Sequence, residues 1–156
     1  MSAKRDKNGK KVTDRKVPSN KKQAKSNKPV VFSNKFPVWK YDYFLRYDQI
    51  WCSEIKKFDK AKPLFVKAIN RLSEFEKRTW LEIEQDNSCS NIEVSKLDNR
   101  AQKFIKKTPA FKDIDVLYHI RVDSTFRIWG KREQEVLHIL WFDPDHKVYP
   151  TPMRHT

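Results

Sequence analysis

Glycine is almost absent from this 156-residue chain, which has only Gly9 and Gly130. A phosphate-cradling loop needs several glycines close together, so nucleotide-binding loops of that kind are excluded. Cysteine is equally scarce. Cys52 and Cys89 are too few for a disulfide scaffold or a four-cysteine zinc site, and neither stands in a C-x-x-C or Cys/His spacing. They read as buried or inert thiols, and a reducing cytoplasm is the expected compartment. Long apolar runs are missing too. Nothing approaches the ~20 residues needed to span a bilayer, so no integral membrane protein is expected. The Lys-rich start is followed by no apolar segment, which argues against a secretory signal. G-x-S-x-G, H-E-x-x-H, Walker and Rossmann strings are also lacking.

Positive charge is abundant. The chain carries 34 Lys and Arg against 20 Asp and Glu, a net charge of +14. The excess is uneven. Residues 1–35 hold 12 Lys and Arg against two acids, whereas residues 36–156 hold 22 against 18. From Met1 to Lys28 the apolar residues are only Met1, Ala3, Val12, Val17 and Ala24. Such a stretch buries too little surface to offset its ordering entropy, so residues 1–30 are expected to be a disordered basic tail. The tail either seeks a polyanion, with salt-sensitive binding, or merely keeps the chain soluble. Residues 151–156 read as a short C-terminal tail.

Residues 31–150 read as one domain. Lys40 to Tyr47 places Tyr41 and Tyr43 on one side, as in a strand. Pro63 suits the first position of a helix over 63–85, with Phe65, Ile69, Leu72, Phe75, Trp80 and Ile83 at helical spacing. Residues 86–91 read as a loop. Ser95 is the expected cap of a second helix that ends at Thr108-Pro109. Three strands follow, over 116–122, 126–132 and 136–142, joined by tight turns into an antiparallel meander. The whole reads as an α+β fold. It has a small antiparallel sheet in the order strand-helix-helix-strand-strand-strand, with two helices on one face.

Alternation puts His119 and Arg121 on one side of the first meander strand, and Arg127, Trp129 and Lys131 on one side of the second. Arginine forks match phosphate and a ring can stack on a base, so this face suits RNA. It equally suits the solvent face of an ordinary sheet. After the last strand, Asp143, Asp145, His146 and Tyr149 crowd together, and a histidine beside carboxylates can move protons near neutral pH. The same residues can also simply build a turn. As metal ligands Asp143, Asp145 and His146 form a weak string, and no metal or cofactor is expected. Cleaving RNA fits a toolkit of dispersed cations and histidines, because the substrate's own 2′-OH can be the nucleophile.

This element order, with F-R-I-W-G-K-R followed by V-L-H-I-L-W-F-D-P-D-H-K-V-Y-P, resembles the RelE/HigB/ParE superfamily of bacterial toxins. It is also similar to small bacterial proteins ending in a W-F-D-P-x-H string. The resemblance spans residues 40–150. It implies a metal-independent endoribonuclease that cuts messenger RNA, usually on the ribosome, and is restrained by a cognate antitoxin. On the matching positions, His119 or Arg121 is the basic residue of the second sheet strand, and Arg127 binds the scissile phosphate. Asp143 and His146 supply the acid/base group, and Tyr149 orients the 2′-OH or stacks a base. Trp129, Lys131, Arg132 and Lys147 complete the expected RNA contacts. Arg127→Ala or His146→Ala is then expected to abolish cleavage with the fold intact. The long first helix and the Lys-rich leader depart from the pattern, as does the lack of paired lysines before the third strand. Some members poison gyrase and cut no RNA, so the alternative is a non-catalytic nucleic-acid or ribosome binder.

Overall fold

A computed structural model of the chain describes residues 32–44 and 46–150. The two tails expected at 1–30 and 151–156 lie outside the described residues.

The nearly continuous apolar run Val136–Asp143 forms β5, whose residues beyond Val136 are all buried. A strand of that composition must be covered on both faces. It pairs antiparallel with β4 (Arg127–Glu133), β4 with β3 (Val116–Arg121), and β3 with β2 (Cys89–Glu93). On its other edge β5 takes β1 (Val38–Lys40) in parallel. The sheet order is therefore β1-β5-β4-β3-β2, and the fold is α+β with a mixed five-stranded sheet.

Among the described residues, three α-helices cover the sheet. α1 (Phe58–Phe75) and α2 (Trp80–Gln85) bury Ala68, Leu72, Phe75, Trp80 and Ile83 against Tyr118, Ile120, Ile128, Ile139 and Phe142. α3 (Asn99–Lys107) lies on the opposite face. It buries Ala101 and Ile105 in a second cluster with Trp51, Phe111, Leu117, Trp129, Leu140 and Trp141. Burying each such large side chain contributes about 1.5–3 kcal/mol, so neither face is left as an open surface.

Local chemistry explains where the elements differ from the sequence reading. The long helix starts earlier, at Phe58, and holds Pro63 inside it. It does not run on to residue 85. Thr79 caps a new helix, accepting from the Glu82 amide while the Glu82 carboxylate accepts from the Thr79 amide. This reciprocal pair favours a helix start over helix continuation. Ser95 lies in a 3-10 turn, and the cap of α3 is Asp98, which accepts from the Arg100 amide. The stretch expected as a strand over 40–47 is strand only to Lys40, and β2 begins inside the expected loop over 86–91.

β5 carries an irregularity that shapes the rest of the molecule. Trp141 pairs with Trp129 and Ile139 with Gly130, so Leu140 is an extra, bulged residue. Beside it β1 has already ended, at the partner of His138. The buried amide of Gln49 takes the place of a strand there. It donates to the carbonyls of Leu140 (2.7 Å) and Phe44 (3.1 Å), and accepts from the Phe142 amide (3.1 Å). Gly130 faces this part of β5 closely, and a Cβ on it would collide with the His138 carbonyl. Among the described residues, no helix is long and apolar enough to cross a membrane.

Candidate functional site

The register assembles two rows of side chains on the α3 side of the sheet. One row is Ser90, His119, Trp129 and Trp141, running from β2 to β5. The next row, at the end of the strands, is Arg121, Arg127 and Asp143. The turn after β5 adds His146. Four chain segments thus bring His119, Arg121, Arg127, Asp143 and His146 to one end of the sheet.

Asp143 builds the turn. It is fully buried and accepts from the amides of Lys147 (2.8 Å) and Val148 (2.9 Å), and from the Trp129 indole (3.4 Å). The loop it closes carries His146 in the left-handed region, at φ 56°, a conformation most non-glycine residues avoid. Asp143 therefore holds a half-buried imidazole at the mouth of the cluster.

Arg127 is 5% exposed. Its guanidinium donates to the carbonyls of Asp123 (2.7 Å), Phe126 (3.0 Å) and Ser124 (3.2 Å), clamping the β3–β4 turn. The turn is locked a second time by the Asp123 carboxylate, which accepts from the amides of Thr125 and Phe126. Arg127 thus brings charge to the cluster, with Nε buried and unpartnered among the described residues. Arg121 sits directly across from it and is exposed. Like charges set opposite each other on neighbouring strands are destabilising.

The two histidines respond to this field. Burial, and then the positive charges of Arg127, of His146 when it is protonated, and of Arg121, depress His119 to about 4. Its Nε2 lies 2.7 Å from the Ser90 hydroxyl, its ring leans on Trp129, and its Nδ1 is buried with no partner among the described residues. His146 is also lowered, by burial first and then by Arg127 and Arg121, with Asp143 opposing. Both imidazoles are neutral at physiological pH. Neutral imidazole accepts a proton, and the adjoining guanidinium charge attracts an anion.

The other expected site residues are placed differently. Trp129 is fully buried beneath α3 and stacks on no ligand from there. Lys131 lies further along β4, paired with Glu133 at 2.5 Å. Arg132 points to the opposite face, over the Trp80 ring at 4.1 Å and bound to Glu84. Lys147 is exposed at the turn and pairs with Asp145 at 2.7 Å. Tyr149 is half-buried against the α3-side core. His138 packs near Tyr43, with Asp42 at 3.2 Å and Glu133 at 3.3 Å on its two nitrogens. Ser90 was hidden because its segment reads as a loop. Among the described residues, no group of three or more His, Cys, Asp or Glu is arranged to hold a metal ion.

No protein family, curated protein or solved structure matches this chain.

Proposed function

We propose that this protein binds RNA at the Arg121 end of the sheet and cuts it there without a metal. The observation that carries the reading is the pairing of opposed arginines, Arg121 and Arg127, with two histidines kept neutral beside them. A bound phosphate relieves the repulsion between the arginines and leaves a neutral base next to it.

The roles follow from exposure. Arg121 is the exposed fork that grips the scissile phosphate, and Arg127 adds charge from below. His146, half-buried at the mouth, takes the proton of the 2′-OH. The 2′-oxygen bonds to phosphorus and the bond from phosphorus to the 5′-oxygen breaks. The proton held by His146 passes to the departing oxygen. The products are a 2′,3′-cyclic phosphate and a 5′-hydroxyl. The arginine charge stabilises the phosphorane-like transition state, which is where such electrostatics acts most strongly. Asp143 and Ser90 are positioning residues.

The toxin part of the reading, with messenger RNA on the ribosome as target and an antitoxin as partner, rests on the resemblance of the β3–β5 segment. Its test is to induce the gene and map transcript 5′ ends. New 5′-hydroxyl ends with wild type, lost with Arg121→Ala and His146→Ala while both variants keep wild-type unfolding midpoints, are the expected result. Cleavage at wild-type rate in both variants refutes the assignment. If no cleavage appears with wild type but RNA is retained, the protein is a non-catalytic binder.

A further inference from the structure

The outer side of α3 has no role in the cluster, yet its charge is of one sign. Arg100, Lys103, Lys106 and Lys107 are exposed, and the helix, Asn99–Lys107, contains no acid. Arg100, Lys103 and Lys107 are three and four residues apart, so they lie along one stripe. Among the described residues, Lys103, Lys106 and Lys107 form no ion pair, and Arg100 reaches only its neighbour Asp98, at 3.5 Å. The guanidinium carbon of Arg100 lies over the Trp51 ring, 4.4 Å from its centroid. That stacking holds the group in place with its outer face towards solvent, where a base can stack in turn.

The stripe starts at the cluster. The Asp98 amide donates to the Val148 carbonyl at 2.8 Å, and Val148 is held by Asp143, so the N-terminal end of α3 abuts the turn that presents His146. From there Arg100 to Lys107 runs about 10 Å along the helix. We infer that this stripe is the track for the RNA strand leaving the cleavage site, so that the substrate is an extended single strand contacted over several phosphates. A helix whose outward cations are spaced along one line follows a backbone, whereas a single phosphate needs only the cluster. This inference rests on the RNA-cutting reading, and the two are separable.

The test uses the full chain and the triple variant Arg100→Gln/Lys103→Gln/Lys107→Gln, which leaves the buried face of α3 untouched. Binding of a 2′-O-methyl dodecanucleotide, which resists cleavage, is measured against salt concentration, and cleavage of an RNA trinucleotide is measured in parallel. Loss of three contacts lowers the slope of log K against log salt by about 2, at about 0.7 per phosphate on a single strand. Trinucleotide cleavage is expected to stay at the wild-type rate. An unchanged slope overturns the track, as does a wild type that fails to bind the dodecanucleotide. Tighter binding of polyglutamate than of the dodecanucleotide, at equal length and salt, also overturns it, in favour of an acidic protein partner. A lowered slope with no trinucleotide cleavage by wild type leaves the track standing and refutes the cutting site.

Discussion

Replacing Gln49 with leucine removes one side chain and strands three backbone groups. Gln49 is 7% exposed and serves the carbonyls of Phe44 and Leu140 and the amide of Phe142, and among the described residues no strand lies beyond it on that edge of β5. Leucine keeps the volume, so the change isolates polar satisfaction from packing. A net hydrogen bond contributes about 1 kcal/mol, but a buried group left unpaired costs about 1–3 kcal/mol. Water entering at the open edge rescues part of this, so the expected loss is about 3–5 kcal/mol. That is a large share of the roughly 5–15 kcal/mol that holds a domain together. Urea unfolding followed by tryptophan fluorescence reads it directly, since Trp51, Trp129 and Trp141 sit in the adjoining cluster. Gln49→Glu is the companion variant. It keeps the acceptor for Phe142 and loses both donors, so it is also strongly destabilising. A loss below about 1 kcal/mol in Gln49→Leu refutes the claim that this amide stands in for a missing strand.

Further predictions concern the same end of the molecule. His119 is depressed from 6.5 to about 4 in the fold, so the unfolded chain takes up its proton first on acidification. Stability from its neutral state is fully present above pH 6.5, falls as pH drops to about 4, and then levels off, a total of about 3 kcal/mol. The stability difference between wild type and His119→Gln is expected to change by about 3 kcal/mol across that window, to the disadvantage of wild type at low pH, and a constant difference disproves the burial account. Gly130→Ala sets a methyl group against the His138 carbonyl, so it is expected to cost about 2–3 kcal/mol and to lower the thermal midpoint. A neutral effect means the β4–β5 approach is looser than described. Arg127→Ala frees three carbonyls of the β3–β4 turn and is expected to cost about 2–4 kcal/mol. A variant as stable as wild type, yet inactive, restores Arg127 as a direct phosphate ligand.

The meander was legible in the sequence because its signals agree. β5 is an apolar run, β4 alternates, and the turn residues between them are short and polar. The α+β class and the gathering of His119, Arg121, Arg127, Asp143 and His146 follow from that register. Other features were hidden by residues that satisfy two patterns at once. Lys77 and Arg78 continue the helical spacing of α1, yet Thr79 and Glu82 form a capping box that starts a new helix. β2 has Ser90, Asn91 and Glu93 exposed and mixed into a polar stretch, so an edge strand looks like a loop. Alternation put Trp129 on a polar side and suggested an exposed ring. What alternation does not carry is that α3 and the segment around Trp51 cover that same face. Gln49 had no signal at all, because two of its three partners are 91 and 93 residues away.

Burial also changes what a mutation in the cluster measures. The two residues most easily singled out by charge, Arg127 and Asp143, are the most deeply buried, and backbone groups take up most of their hydrogen-bonding capacity. Removing either one disturbs a turn before it disturbs any chemistry, so lost activity there mixes folding with function. Arg121 and His146 are different, since one is exposed and the other half-buried. Yet the inner pair sets their properties: Arg127 helps keep His146 neutral, while Asp143 fixes its loop. Asp143→Asn separates the two contributions. The amide keeps the size and one acceptor but offers hydrogens to backbone amides that also donate, so the loop around His146 loosens. The expected result is a destabilisation of about 2–4 kcal/mol together with a fall in cleavage that lower temperature partly restores. Arg121→Ala, by contrast, is expected to lose cleavage with an unchanged unfolding midpoint at every temperature. If Asp143→Asn is as stable as wild type and still inactive, Asp143 takes part in the reaction itself, and its assignment as a scaffold is wrong.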